Sequence, residues 1–123
     1  MNFFERRKRL KGVNYLELTP IITAQHEIDD NNHVTIVIPK FRSAITKKIF
    51  EPLLKSKNIK LKLDELGSAS WLAISGKNTV AGISNELKQK FGEKCNPVEE
   101  RLTKFLTLLY EQRFITFKEV QGE

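Results

Sequence analysis

Apolar and polar residues alternate with two different periods along this chain, and the change of period divides it. Between Leu18 and Pro39 the texture is that of strands. Val34, Ile36 and Ile38 alternate with His33, Thr35 and Val37, the period of two expected of a half-buried strand. The preceding run, Thr19 to Asp29, is expected to form one partner strand, with Ile22, Ala24, His26 and Ile28 on one face. Asp29, Asp30, Asn31 and Asn32 between them tolerate tight turns and positive φ, so the two runs predict a hairpin. Residues 42–56 carry Ile45, Ile49 and Leu53 at helical spacing behind Ser43, which predicts a short inserted helix that Pro52 ends or kinks. Strict alternation then returns in a third strand, with Ile59, Leu61 and Leu63 inward and Lys60 and Lys62 outward.

From Asp64 onward the period is helical. Asp64 is placed to cap a first helix that runs to Gly76. Thr79 is placed to cap a second, whose stripe is Val80, Ile83, Leu87 and Phe91, with Gly92 to stop it. Asn96 as N-cap, Pro97 at the first helical position and Glu99 in the first turn announce a third. Its stripe is Val98, Leu102, Phe105, Leu106 and Leu109, and residues 114–120 read as a short extended tail. The expected fold class is therefore α+β: a winged-helix-like arrangement of a three-stranded antiparallel sheet on three helices, with an extra short helix between strands two and three. Residues 1–12 are expected to form a flexible basic arm and residues 13–123 a single domain.

The charge distribution sharpens this picture. Residues 1–12 hold five basic side chains against Glu5, and residues 40–62 hold eight against Glu51. Residues 13–39 hold four acids and no Lys or Arg, and the helical half nets −1. A helix that reads a DNA groove normally carries basic and amide side chains. Here the third helix opens Val98-Glu99-Glu100, acids that the phosphate backbone would repel. A winged-helix DNA-binding regulator is therefore the alternative reading rather than the first. No run approaches the about 20 apolar residues of a membrane span, and nothing at the N-terminus resembles a secretory signal. Cys95 is the one cysteine, which excludes an internal disulfide and makes the cytoplasm the expected location.

Catalytic chemistry finds little to use. His26 and His33 flank a turn without a cysteine or clustered carboxylates at metal-ligand spacing. Cys95 lacks an identifiable base, and the Gly76-Lys77 pair lacks the rest of a phosphate loop. A non-enzyme without cofactor or metal is expected.

The segment Leu63–Ile115 resembles the PqqD-like family, named for its member in pyrroloquinoline quinone synthesis. The resemblance rests on Leu63-Asp64 before the first helix, on Gly76-Lys77-Asn78-Thr79-Val80 leading into the second, and on the stripe Ile83, Leu87 and Phe91. It implies a RiPP recognition element, a peptide chaperone that binds the leader of a ribosomally made precursor and delivers it to a modifying enzyme such as a radical SAM enzyme. In the family the leader adds as a strand beside the third strand, and the third helix forms the other wall. Carried over, the edge is Ile59, Lys60, Leu61, Lys62 and Leu63. The helix wall lies between Pro97 and Arg113. There Arg101, Phe105 and Leu108 lie on flanks that could border a groove, and Phe105 reads either as an anchor-pocket wall or as core. Lysines on an edge strand discourage self-pairing and attract an acidic peptide, or else form a plain solvated face. The open edge also permits a homodimer. Two features depart from the compact family pattern: the insert at 42–56 is longer, and the basic arm is additional.

Overall fold

The computed structural model describes residues 14–39 and 58–120. The basic segment 1–12 and the expected helix at 42–56 lie outside the described residues. The fold is α+β and winged-helix-like. Strands β1 (Pro20–Ile22), β2 (Gln25–Ile28), β3 (Val34–Pro39) and β4 (Asn58–Lys62) come first. Helices α1 (Glu65–Leu72), α2 (Val80–Phe91) and α3 (Val98–Glu111) follow, and β5 (Ile115–Phe117) closes the series. Strands β2, β3 and β4 form an antiparallel sheet in that order, while β1 and β5 form a second, two-stranded antiparallel sheet.

The hairpin β2–β3 turns as its residues dictate. The Asp29 carboxylate accepts the N–H groups of Asn31 (2.8 Å) and His33 (2.9 Å), and Asn32 takes φ 62°. Those bonds, led by the one from His33, hold the Asp29 carboxyl below its ordinary pKa. Val34 and Ile36 project inward with no exposed surface, onto a core that includes Trp71, Ile83, Leu106 and Tyr110.

Four expectations need correction. The run before the hairpin is two strands rather than one. Thr23 donates its N–H to the carbonyl of Phe114 (3.0 Å) and its hydroxyl to that of Arg113 (3.0 Å), which pulls the chain away from the sheet. The supposed tail is instead a strand: β5 pairs with β1 in the register Pro20–Phe117, Ile21–Thr116 and Ile22–Ile115. Helix α1 stops at Leu72, short of Gly76, because the Ser75 hydroxyl accepts the N–H groups of Lys77 and Asn78 in a turn. Helix α3 starts at Val98 with an extended Pro97 (ψ 107°) as N-cap, so Asn96 makes no capping bond.

The other two caps follow the sequence. Asp64 accepts from the N–H of Gly67 (2.7 Å), and Thr79 accepts from that of Gly82 (3.2 Å). No helix among the described residues is long and apolar enough to cross a membrane.

Candidate binding groove

Strand β4 has a neighbour on one side only among the described residues. Its backbone polarity follows from one bond, that of the Leu63 N–H to the Val34 carbonyl (2.8 Å). In an antiparallel pair, residues alternate between bonded and non-bonded partners. The pairs Ile36–Leu61 and Ile38–Ile59 therefore bond to β3, and Thr35–Lys62 and Val37–Lys60 do not. The N–H and C=O groups of Lys60 and Lys62 consequently point to the open side. Pro39, which has no N–H, falls at a non-bonded pair with Asn58, as this alternation requires.

The side chains alternate at right angles to this. Ile59 and Leu61 lie on the same face as Ile38 and Ile36, which is the core side, as the sequence predicts. They are nevertheless 49% and 43% exposed, because the helices do not extend over the edge. Lys60 and Lys62 lie on the outer face, where Lys60 reaches Glu27 of β2 (3.0 Å) in an exposed ion pair.

The end of β4 is fixed by Ser68 of α1. Its hydroxyl accepts the Val34 N–H (2.8 Å) and donates to the Leu63 carbonyl (3.4 Å), standing in for a missing rung of the ladder. This joint sets α1 against β3 and the end of β4, and beside it opens a groove of about 430 Å³. Lys62, Leu63 and Asp64 form one wall, and Arg101 and Phe105 of α3 form the other. The floor is apolar, with Leu66, Leu87, Val98 and Leu102. Gly67 leaves room for the cap: a Cβ there would lie 3.0 Å from the Asp64 carboxylate, and at ordinary contact distance from the Leu63 side chain (3.5 Å) and the Phe105 ring (3.7 Å). Helix α3 crosses the sheet obliquely, from the end of β4 toward β2 and β3. Its first turns share the groove with Lys62 and Leu63, whereas Phe114 beyond its end shares another hollow with Ile38, the partner of Ile59.

Of the residues singled out in the sequence, Lys62, Leu63, Arg101 and Phe105 thus meet in one groove, and Ile59, Lys60 and Leu61 form the strand that leads to it. Phe105 is half-buried and serves both the core and the wall. Leu108 is 54% exposed and lines a separate shallow hollow with Lys104 and Glu111. Leu66, Gly67, Ser68, Val98 and Leu102 were not singled out as site residues. For Gly67 a signal was available, since a glycine early in a helix often marks a close approach.

The remaining chemistry-bearing residues have structural surroundings. Cys95 lies buried in a 3-10 turn, and its thiol meets the carbonyls of Leu87 (3.6 Å) and Gly92 (3.2 Å). His26 sets its ring edge-on to buried Trp71 at 5.5 Å, and His33 closes the hairpin turn. Among the described residues, no three His, Cys, Asp or Glu side chains gather where they could hold a metal ion.

Fold and groove together define a small winged-helix domain whose strand β4, with one neighbour among the described residues, ends in a groove against its last helix. The chain belongs to the PqqD family: the family model for coenzyme PQQ synthesis protein D matches residues 53–115, just over half of its length. This family provides accessory proteins of PQQ biosynthesis. The match takes in β4, all three helices and every residue of the groove, and leaves β1, β2 and β3 outside. No curated protein and no solved structure matches the chain.

Proposed function

We propose that this protein binds the leader of a ribosomally made precursor peptide as an added strand on β4 and presents it, in the cytoplasm, to a modifying enzyme such as a radical SAM enzyme. It performs no chemistry of its own in this reading. The observation that carries it is the pairing of an open backbone edge at Lys60 and Lys62 with half-exposed Ile59 and Leu61 on the core side of the same strand. A peptide laid there gains main-chain hydrogen bonds and covers apolar surface, the two sources of affinity in strand addition. Peptide residues opposite Lys60 and Lys62 would bond to their backbone. Those opposite Leu61 would turn their side chains toward α3.

Charge argues for a peptide over the other occupants. Two β4 edges pairing antiparallel about Lys60 would set this lysine against its copy, which disfavours a homodimer through this edge. DNA would meet Asp29 and Asp30 in the hairpin turn and exposed Glu99 and Glu100 at the start of α3.

The test is a titration of the ¹⁵N-labelled protein with peptides cut from short reading frames beside its gene, at two salt concentrations. Saturable binding of one peptide with shifts at residues 59–63 and along α3 is expected. Absence of peptide binding together with salt-dependent binding of duplex DNA would overturn the reading in favour of a winged-helix regulator.

A further inference from the structure

The groove carries a charge asymmetry that strand addition alone does not require. On the first turns of α3, Glu99 lies 3.8 Å from Lys88, and Glu100 lies 3.2 Å from Lys104, so each acid has a lysine beside it. Arg101 between the groove and these pairs has no carboxylate partner among the described residues. One of its five N–H donors goes to the Lys94 carbonyl (3.2 Å), which holds the guanidinium in place and leaves the rest of its fork free. Lys62 on the opposite wall turns its side chain to the outer face of the sheet, where its charge acts on Asp29, so among the described residues Arg101 is the cation that faces the groove. The one acid on the lining, Asp64, is turned to the N-terminus of α1, where it accepts the Gly67 N–H.

Spacing adds a second constraint. Arg101 and Phe105 are one helical turn apart on α3, roughly 6 Å. Along an added strand, residues that share a face are two apart, roughly 6.8 Å. Over the one turn in which α3 lines the groove the two spacings match, so that one peptide residue meets Phe105 and its second neighbour meets Arg101.

We infer that the groove selects peptides carrying a side-chain carboxylate two residues from a bulky apolar side chain, the carboxylate on Arg101 and the apolar group on the floor beside Phe105. This rests on the strand-addition reading and extends it from peptides in general to an acidic–any–apolar pattern. Arginine suits the task because its planar fork holds a carboxylate with two parallel bonds.

The test uses the full chain and fluorescein-labelled synthetic peptides in a threonine-rich host, with Glu-Thr-Leu, Gln-Thr-Leu or Glu-Thr-Ser at the centre. Affinities are read by anisotropy against the native protein and Arg101→Gln. Arg101 is exposed, so circular dichroism should report an unchanged fold. Glu-Thr-Leu is expected to bind the native protein about tenfold more tightly than either relative, the usual range for a charge-assisted pair or a buried leucine. Its advantage over Gln-Thr-Leu should shrink to less than about twofold in Arg101→Gln. Equal affinity for the Glu and Gln peptides would overturn the carboxylate preference while leaving strand addition intact. Equal affinity for the Leu and Ser peptides would overturn the apolar half. Failure of all three to bind would remove strand addition itself, and this inference with it.

Discussion

Strands β4 and β5 are written in the same alternating pattern, yet the molecule uses them in opposite ways. Ile115 and Phe117 of β5 have no exposed surface, whereas Ile59 and Leu61 of β4 keep nearly half of theirs. The cause is what lies over each strand. Phe117 is enclosed by the rings of Tyr15 (5.6 Å) and Tyr110 (5.3 Å). Beyond it, Glu119 ties the ends of the small sheet by accepting the Thr19 N–H (2.6 Å) and hydroxyl (2.9 Å). Strand β4 is anchored at its Leu63 end by Ser68, while its core-side residues project past the helices. One sheet is closed and contributes to stability; in the other, β4 has one neighbour among the described residues, and the proposed peptide would complete its packing.

The contrast can be broken first at Phe117. Phe117→Ala should destabilise the protein by about 3–5 kcal/mol, read from urea unfolding, because it opens a cavity between two fixed rings. Leu61→Ser should cost less than about 1 kcal/mol by the same measurement, since half of the side chain is already in water. It should nonetheless weaken peptide binding at least tenfold, if Leu61 belongs to the bound surface. A large loss of stability in Leu61→Ser would mean that β4 is core like β5.

Tyr15 gives a smaller and pH-dependent handle on the closed side. Burial pushes its phenol up to about 12, against the opposing effect of its 2.9 Å bond with Thr107. The folded state thus favours the neutral ring. Its contribution is complete below the ordinary value of 10.0 and is lost as pH rises from there toward about 12. Tyr15→Phe should cost about 1 kcal/mol at neutral pH and flatten the alkaline fall in melting temperature.

Glu119 should show the smallest effect. Loss of hydration raises its carboxyl, but the bonds from Thr19 outweigh this and hold it below its ordinary value of 4.5. That contribution is present above the ordinary carboxylate range and lost as pH falls through it and below. Glu119→Gln should lower stability by less than about 1 kcal/mol at neutral pH, after solvent screening, and reduce the acid sensitivity of the melting temperature.

Local signals in the sequence account for much of the fold. The caps at Asp64 and Thr79, the stop at Gly92 and the hairpin at Asp29–Asn32 each depend on a few adjacent residues, and they appear in the structure where the sequence puts them. The pairing of β1 with β5 was not legible, because it joins residues about ninety positions apart through strands too short to announce themselves. The break at Thr23 likewise depends on carbonyls at Arg113 and Phe114. For the groove, the sequence supplied Lys62, Leu63, Arg101 and Phe105 but not the floor around Leu66 and Val98, whose helical spacing is that of any core residue. Nor does alternation reveal that Ile59 and Leu61 stay half open, since it reports which face a side chain takes and not what covers that face.

The most direct measurement is amide hydrogen exchange along β4, by NMR, with and without a bound peptide. The free protein should exchange Lys60 and Lys62 quickly and Ile59 and Leu61 slowly. Binding should slow Lys60 and Lys62 while leaving their neighbours, already bonded to β3, unchanged. Protection that appears instead at His26 and Ile28 on the β2 edge, or nowhere in β4, would contradict strand addition at this site.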